Sequence, residues 1–200
     1  MTQPDFESAH RYAFERLKQE LSPNLFYHDL RHTFEDVLPA VTRFATMANI
    51  SPEDTLLVRT AAVFHDTGFL VQSNGHEAIS VQIANAILPK FGYTNEQIKH
   101  IDAIIMATQL PQSPQDFLGQ IICDADLDVL GRDDFFPVNL NLKKELETMG
   151  NTTINLLDWY KGQRHFLQTH TYFTDVAKEL RNERKATNIE GLSQRIAELE

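Results

Sequence analysis

The sequence predicts an all-α protein, and three observations carry that prediction. Helix-start signals recur along the chain, as in Ser51-Pro52-Glu53-Asp54, with an N-cap residue, proline at the first helical position and acids in the first turn. Between such signals the apolar residues return every three or four positions, as in Ile98, Ile101, Ile104 and Ile105. Strict alternation of apolar and polar residues over the length of a strand is scarce.

The elements follow in order. A first helix runs through Phe6, Ala13, Phe14 and Leu17, and a second covers about 27–47. The Ser51 cap opens a third, from Pro52 into His65-Asp66. Asn74-Gly75 reads as a loop joining helices, because its flanks do not alternate. A helix over about 77–91 places Ile79, Ile83, Ala86 and Ile87 on one face and stops at Gly92. Thr94-Asn95-Glu96-Gln97 is a capping box that opens a helix over about 96–108. Ser113-Pro114-Gln115-Asp116 repeats the earlier start signal for a helix over about 114–130. Helices over about 135–149 and 154–169 and a C-terminal helix complete the series, roughly seven to nine in all. Ile189, Leu192, Ile196 and Leu199 fall at heptad-like spacing. They are expected to pack back on their own domain, with a homodimer contact as the alternative. No repeat, low-complexity stretch or linker divides the chain, so residues 1–200 are expected to form one domain.

Composition bounds the function. Hydrophobic residues make up 42% and charged residues 23%, the balance of a globular protein. The formal net charge of −10 repels phosphate backbones, so a nucleic-acid polymer is not an expected partner. No apolar run approaches the roughly 20 residues that span a bilayer, so no membrane is expected. Met1-Thr2-Gln3-Pro4-Asp5 lacks the basic and apolar grammar of a signal peptide. A single cysteine, Cys123, permits no internal disulfide, and its apolar context makes it a small hydrophobe rather than a nucleophile. A cytoplasmic location is the resulting expectation.

Three segments carry chemistry. In Tyr27-His28-Asp29-Leu30-Arg31-His32, the two histidines lie four apart, which on a helix puts both on one face. In Ala61-Ala62-Val63-Phe64-His65-Asp66, an apolar run leads into an adjacent imidazole and carboxylate, whose burial without a partner would cost several kcal/mol, roughly. A metal ion is one partner; a hydrogen-bonded core histidine beside a capping aspartate is the other reading. In Cys123-Asp124-Ala125-Asp126-Leu127-Asp128, Asp124 and Asp128 project together and are expected to be solvated, leaving Asp126 as the candidate for burial. The set of two histidines and two aspartates suits Mg, Mn, Fe, Ni or Zn without selecting among them.

The order His, His-Asp, Asp resembles the HD superfamily of metal-dependent phosphohydrolases over about 27–130, with helices of 135–200 packing on that core. The segment 159–174 also resembles small bacterial members. Tyr27-His28…His32, His65-Asp66 and Ala125-Asp126-Leu127 are further similar to cyclic-nucleotide phosphodiesterases. The resemblance implies an HD-domain fold and makes His32, His65, Asp66 and Asp126 the metal ligands. It places Asp66 as a bridge toward a second metal and His28 as the general acid. It implies hydrolysis of a phosphate ester of a small molecule, a nucleotide being the expected class, whether monoester or diester. His76 and Glu77 follow the doublet and are candidates for a second metal or the substrate. The stretch Ile104-Ile105-Met106-Ala107-Thr108-Gln109 lacks the further histidine that two-metal members carry.

Competing readings are a nucleotide sensor without turnover, a di-iron oxygenase and a metal-free scaffold. His28 argues against the sensor, which needs no proton donor, and the oxygenase needs more histidines than are in register. Among the rest, His100 is expected to be solvated and His170 to be a packed, hydrogen-bonded core residue. Arg31, Arg43, Arg59 and Lys161 read as surface charges, and Tyr27, Phe69 and Trp159 as core aromatics.

Overall fold

The computed structural model describes residues 3–200; Met1 and Thr2, which open the segment read for a signal peptide, lie outside the described residues. Among the described residues there are helices and no strands: α1 (Phe6–Glu20), α2 (Leu38–Met47), α3 (Pro52–Phe64), α4 (His76–Ile87), α5 (Asn95–Met106), α6 (Phe117–Asp126), α7 (Phe135–Gly150), α8 (Leu156–Thr169) and α9 (Asp175–Leu199).

Local chemistry sets most of these boundaries. Ser51 caps α3 by accepting from the Asp54 amide, and Thr94 and Gln97 form a reciprocal capping box at α5. Gly75 and Gly92 take left-handed backbone at the start of α4 and just after the Leu88–Phe91 turn of 3-10 helix, so Asn74-Gly75 is a connection between helices as its flanks suggested.

Two expected boundaries differ. The second helix does not begin at Tyr27: residues 26–29 form bends, helical winding starts at Leu30, and it passes at once into a π-helical segment, His32–Val37, that runs directly into α2. The helix expected over 114–130 is shorter. Asp116, not Ser113, is its cap, accepting from the Gly119 amide, and after Asp126 the chain tightens into a 3-10 turn, Asp128–Gly131.

The core has two clusters. The larger gathers α1 to α6 around Phe44, Phe64, Ile101, Ile104, Ile105 and Ile121. The smaller joins α7, α8 and α9 through Phe135, Trp159, Leu167, Leu192 and Ile196. Leu192 and Ile196 are thus buried within the chain itself, while Leu199 is exposed. Ala125 belongs to the first cluster and Leu127 packs on the second, so the end of α6 stands at their seam. Asp126 is the residue between them.

Candidate metal centre

Three chain segments converge at the seam. The wide π-helical turn carries His32; the C-terminus of α3 carries His65, at its cap, and Asp66; the C-terminus of α6 carries Asp126. His32 Nε2 lies 3.1 Å from Asp126 Oδ1 and 3.4 Å from Asp66 Oδ2. His65 Nε2 lies 3.3 Å from Asp66 Oδ2 and 3.5 Å from Asp126 Oδ1. His32, His65 and Asp66 are buried and each offers a ligand atom within 4.8 Å of the others. All four residues read as metal ligands therefore point at one spot.

The donor chemistry fits a divalent cation. His65 Nδ1 donates to the Ala62 carbonyl at 2.8 Å, which leaves the Nε2 lone pair for the site. Yet His65 Nε2 and Asp66 Oδ2, both buried, have no hydrogen-bond partner among the described residues. Two lone pairs facing each other at 3.3 Å in a desolvated place require a positive charge between them. Without a metal, a proton answers the same demand. Burial lowers the His65 pKa, but the Asp66 and Asp126 charges outweigh it and push it up to about 9. Burial likewise works to raise both carboxyls, and the surrounding imidazoles overcome it and hold Asp66 and Asp126 below the usual carboxylate range.

Asp66 Oδ1 faces the opposite way, 3.2 Å from His76 Nε2. Burial lowers the His76 pKa, but the hydrogen bond to Asp66 outweighs it and raises the value. Glu77 is buried beside it, with Oε2 unpaired. His76 is positioned by a close approach: Gly68 lies under the start of α4, where a Cβ would stand 1.9 Å from the His76 carbonyl oxygen. Ser80 secures the same junction, accepting from the Gly68 amide and donating to the His65 carbonyl.

His28 stands above the cluster without touching Asp66 or Asp126. Phe69 lies between His28 and His76, with ring centroids 4.3 Å and 4.1 Å away. The sequence reading missed the group that orients His28. Glu145 Oε1 accepts from His28 Nδ1 at 2.5 Å, and Oε2 accepts from the backbone amides of Tyr27 and His28. Burial works to raise the Glu145 pKa; these hydrogen bonds overcome it and lower the value. Glu145 sits in Lys143-Lys144-Glu145-Leu146, which reads as an ordinary charged helix face; its burial shows only in three dimensions.

Other expectations are corrected. Asp124 and Asp128 are not solvated. Asp124 is fully buried and accepts from the amides of Phe173 and Thr174 and from the Thr174 hydroxyl. Asp128 is buried against Arg43 and Arg181. Asp126, expected to be the buried one, keeps 19% of its side chain exposed. Its exposed part faces a cavity of about 700 Å³ that His28, His76, Phe69 and Glu145 also line. His100, expected to be solvated, is half-buried and paired, 2.6 Å from Asp116. His170 packs against Lys185 and Tyr172 but is half-buried rather than a core residue, with Nε2 unpartnered among the described residues, and Cys123 is fully buried, donating to the Ala107 carbonyl.

No protein-family model matches the chain, and no curated protein is similar to it in sequence. Among solved structures, the chain is similar to the crystal structure of a predicted HD superfamily hydrolase from an uncultured Thermotogales bacterium. The match has 19% sequence identity and a TM-score of 0.63, and covers 98% of this chain and 94% of that one. At that identity the likeness speaks for the architecture, and it spans both clusters of the core. No helix among the described residues is long and apolar enough to cross a membrane. The chain has the HD-domain fold, and at its centre a His/His/Asp cluster that fits a divalent metal.

Proposed function

We propose that the protein is a metal-dependent phosphohydrolase that cleaves a phosphate ester of a small molecule. The observation that carries this reading is the pair of buried, unpartnered atoms His65 Nε2 and Asp66 Oδ2, opening onto the cavity through Asp126. His32, His65, Asp66 and Asp126 would hold the metal. A divalent cation there supplies Lewis acidity toward a phosphoryl oxygen and lowers the pKa of a coordinated water. His28 lines the cavity and gives the proton that the leaving alkoxide needs, with Glu145 keeping its Nδ1 hydrogen-bonded so that Nε2 is the atom free to act. His76 and Glu77 flank Asp66 on the side where a second cation or the phosphoryl group would sit. The phosphodiesterase-like segments make nucleotides the first class to try.

The test is a chelator-stripped protein reconstituted separately with Mg, Mn, Fe, Ni and Zn, assayed on phosphomonoesters and diesters beside Asp66→Ala. Metal-dependent product formation absent from the variant is the expected result. Failure to bind any of these metals would bring the reading down.

A further inference from the structure

The cavity beside the metal centre is far more apolar than phosphate chemistry demands. Past His28, His76 and Asp126, its walls are Leu127, Leu130, Phe135, Leu142 and Phe166. Leu146 and Met149 also line it, and both are exposed. No lysine or arginine is in the lining, whereas the carboxylates of Asp126 and Glu145 are. The helix that supplies much of the wall, α7, does carry two lysines. Both are committed elsewhere: Lys143 pairs with Glu147, and Lys144 lies 3.6 Å from the centre of the Phe26 ring. Tyr27, Ser73 and Asn74 add uncharged polar groups to the lining, and the two amides beside Phe135 and Phe166 are engaged with each other. Asn139 donates to Gln163 and accepts from the Trp159 indole.

A ligand in this chamber meets positive charge only at its metal end. Resting on the phosphohydrolase reading, we propose that the ester bears a single phosphate and that its alcohol is an uncharged, apolar alkyl or aryl group lying along Leu127, Phe135 and Leu142. A second phosphate or a carboxylate would be desolvated without a cation, facing Glu145. Each methylene buried there instead gains about fourfold in affinity. Nucleoside di- and triphosphates fall outside this class, and nucleoside monophosphates become comparators.

The metal-loaded protein is titrated with n-alkylphosphonates from ethyl to octyl, which are not hydrolysed, and assayed on the matching alkyl phosphates and methyl alkyl diesters. AMP, ADP and a hexanediol bisphosphate serve as polar and charged comparators. Phosphonate affinity and kcat/KM are expected to rise about fourfold per methylene until the chamber is filled, with the bisphosphate at least about tenfold poorer than hexyl phosphate. Leu146→Lys, an exposed change at the lining, is expected to flatten the upper end of the series and improve the bisphosphate. Turnover that ignores chain length, or that favours ADP or the bisphosphate, overturns the inference and leaves the phosphohydrolase standing. Affinity that climbs with chain length while no metal supports turnover supports the ligand class and sinks the hydrolase reading.

Discussion

Glu145 holds His28 by three hydrogen bonds, one to the imidazole Nδ1 at 2.5 Å and two to the backbone amides that lead into it. The contact spans 117 residues of sequence. It ties α7, in the smaller core cluster, to the segment just ahead of the metal centre.

Glu145→Gln is therefore expected to leave metal content unchanged and to slow hydrolysis of alkyl esters by roughly 10²-fold, with His28→Ala slowing it by 10²–10⁴-fold. An ester with a nitrophenol leaving group, which departs without a proton, should lose much less in both variants. A purely structural role for Glu145 would slow both esters alike. The alkaline-side limb of the pH–rate profile, the one a general acid sets, should also move in Glu145→Gln and stay in place in a variant that merely loosens the fold.

Gly68→Ala places a methyl group where the His76 carbonyl oxygen stands. Backbone has to move, so stability in urea is expected to fall by about 2 kcal/mol or more. Because α4 begins at His76, the same shift draws its imidazole away from Asp66, and metal affinity should fall too. A Gly68→Ala protein with unchanged affinity would show that His76 plays no part in cation binding.

Stability of the metal-free protein should depend on pH in a defined sense. The His65 pKa is raised from an unfolded value of about 6.5 to about 9. Its contribution is fully present below about 6.5 and lost as pH rises toward 9, an effect of at most about 3 kcal/mol. Asp66 and Asp126 are held low, so their contribution is present above about 4 and lost in acid. The stripped protein should melt highest between those limits. Metal ligands must be deprotonated, so the stabilisation gained on adding metal should grow over the window where the stripped protein weakens. Paired Tm series with and without metal check this; a stripped protein that gains Tm between pH 6.5 and 9 contradicts it.

Asp124 presents a different vulnerability. Its carboxylate is the acceptor for the backbone that turns from α8 into α9, at Phe173 and Thr174. Asp124→Ala strands two amides and a hydroxyl in the core, and a loss of about 3 kcal/mol is expected. Asp124→Asn should recover little, since one amide oxygen cannot replace two carboxylate oxygens. Metal affinity measured on the folded fraction should match that of the unaltered protein.

The grouping of His32, His65, Asp66 and Asp126 was anticipated through the resemblance to the HD superfamily; the local sequence itself offered only the apolar run that leads into His65 and Asp66 and the apolar neighbours of Asp126. Spacing also placed Asp124 and Asp128 on one side of their segment. It could not tell burial from exposure there, because the partners that make burial tolerable, Thr174, Arg43 and Arg181, come from distant elements. Glu145 was hidden for the same reason: a carboxylate among lysines looks solvated until a remote imidazole is brought to it. The helix expected from Tyr27 failed at its start because Glu145 takes the backbone amides of Tyr27 and His28, and Asp29 Oδ1 takes that of His32, before regular winding sets in.

The π-helical turn from His32 to Val37 has a consequence for how this chain can change. An α-helix advances about 100° per residue, so one residue removed from that turn would swing His32 to another side of the helix while Val41 and Phe44 kept their places in the core. The wide turn acts as a phase adjuster, setting the angle between a ligand and the hydrophobic face that anchors it. A deletion there would take His32 out of the His/His/Asp cluster without altering any of its residues, whereas substitutions that preserve the winding leave the cluster's geometry and core packing in step.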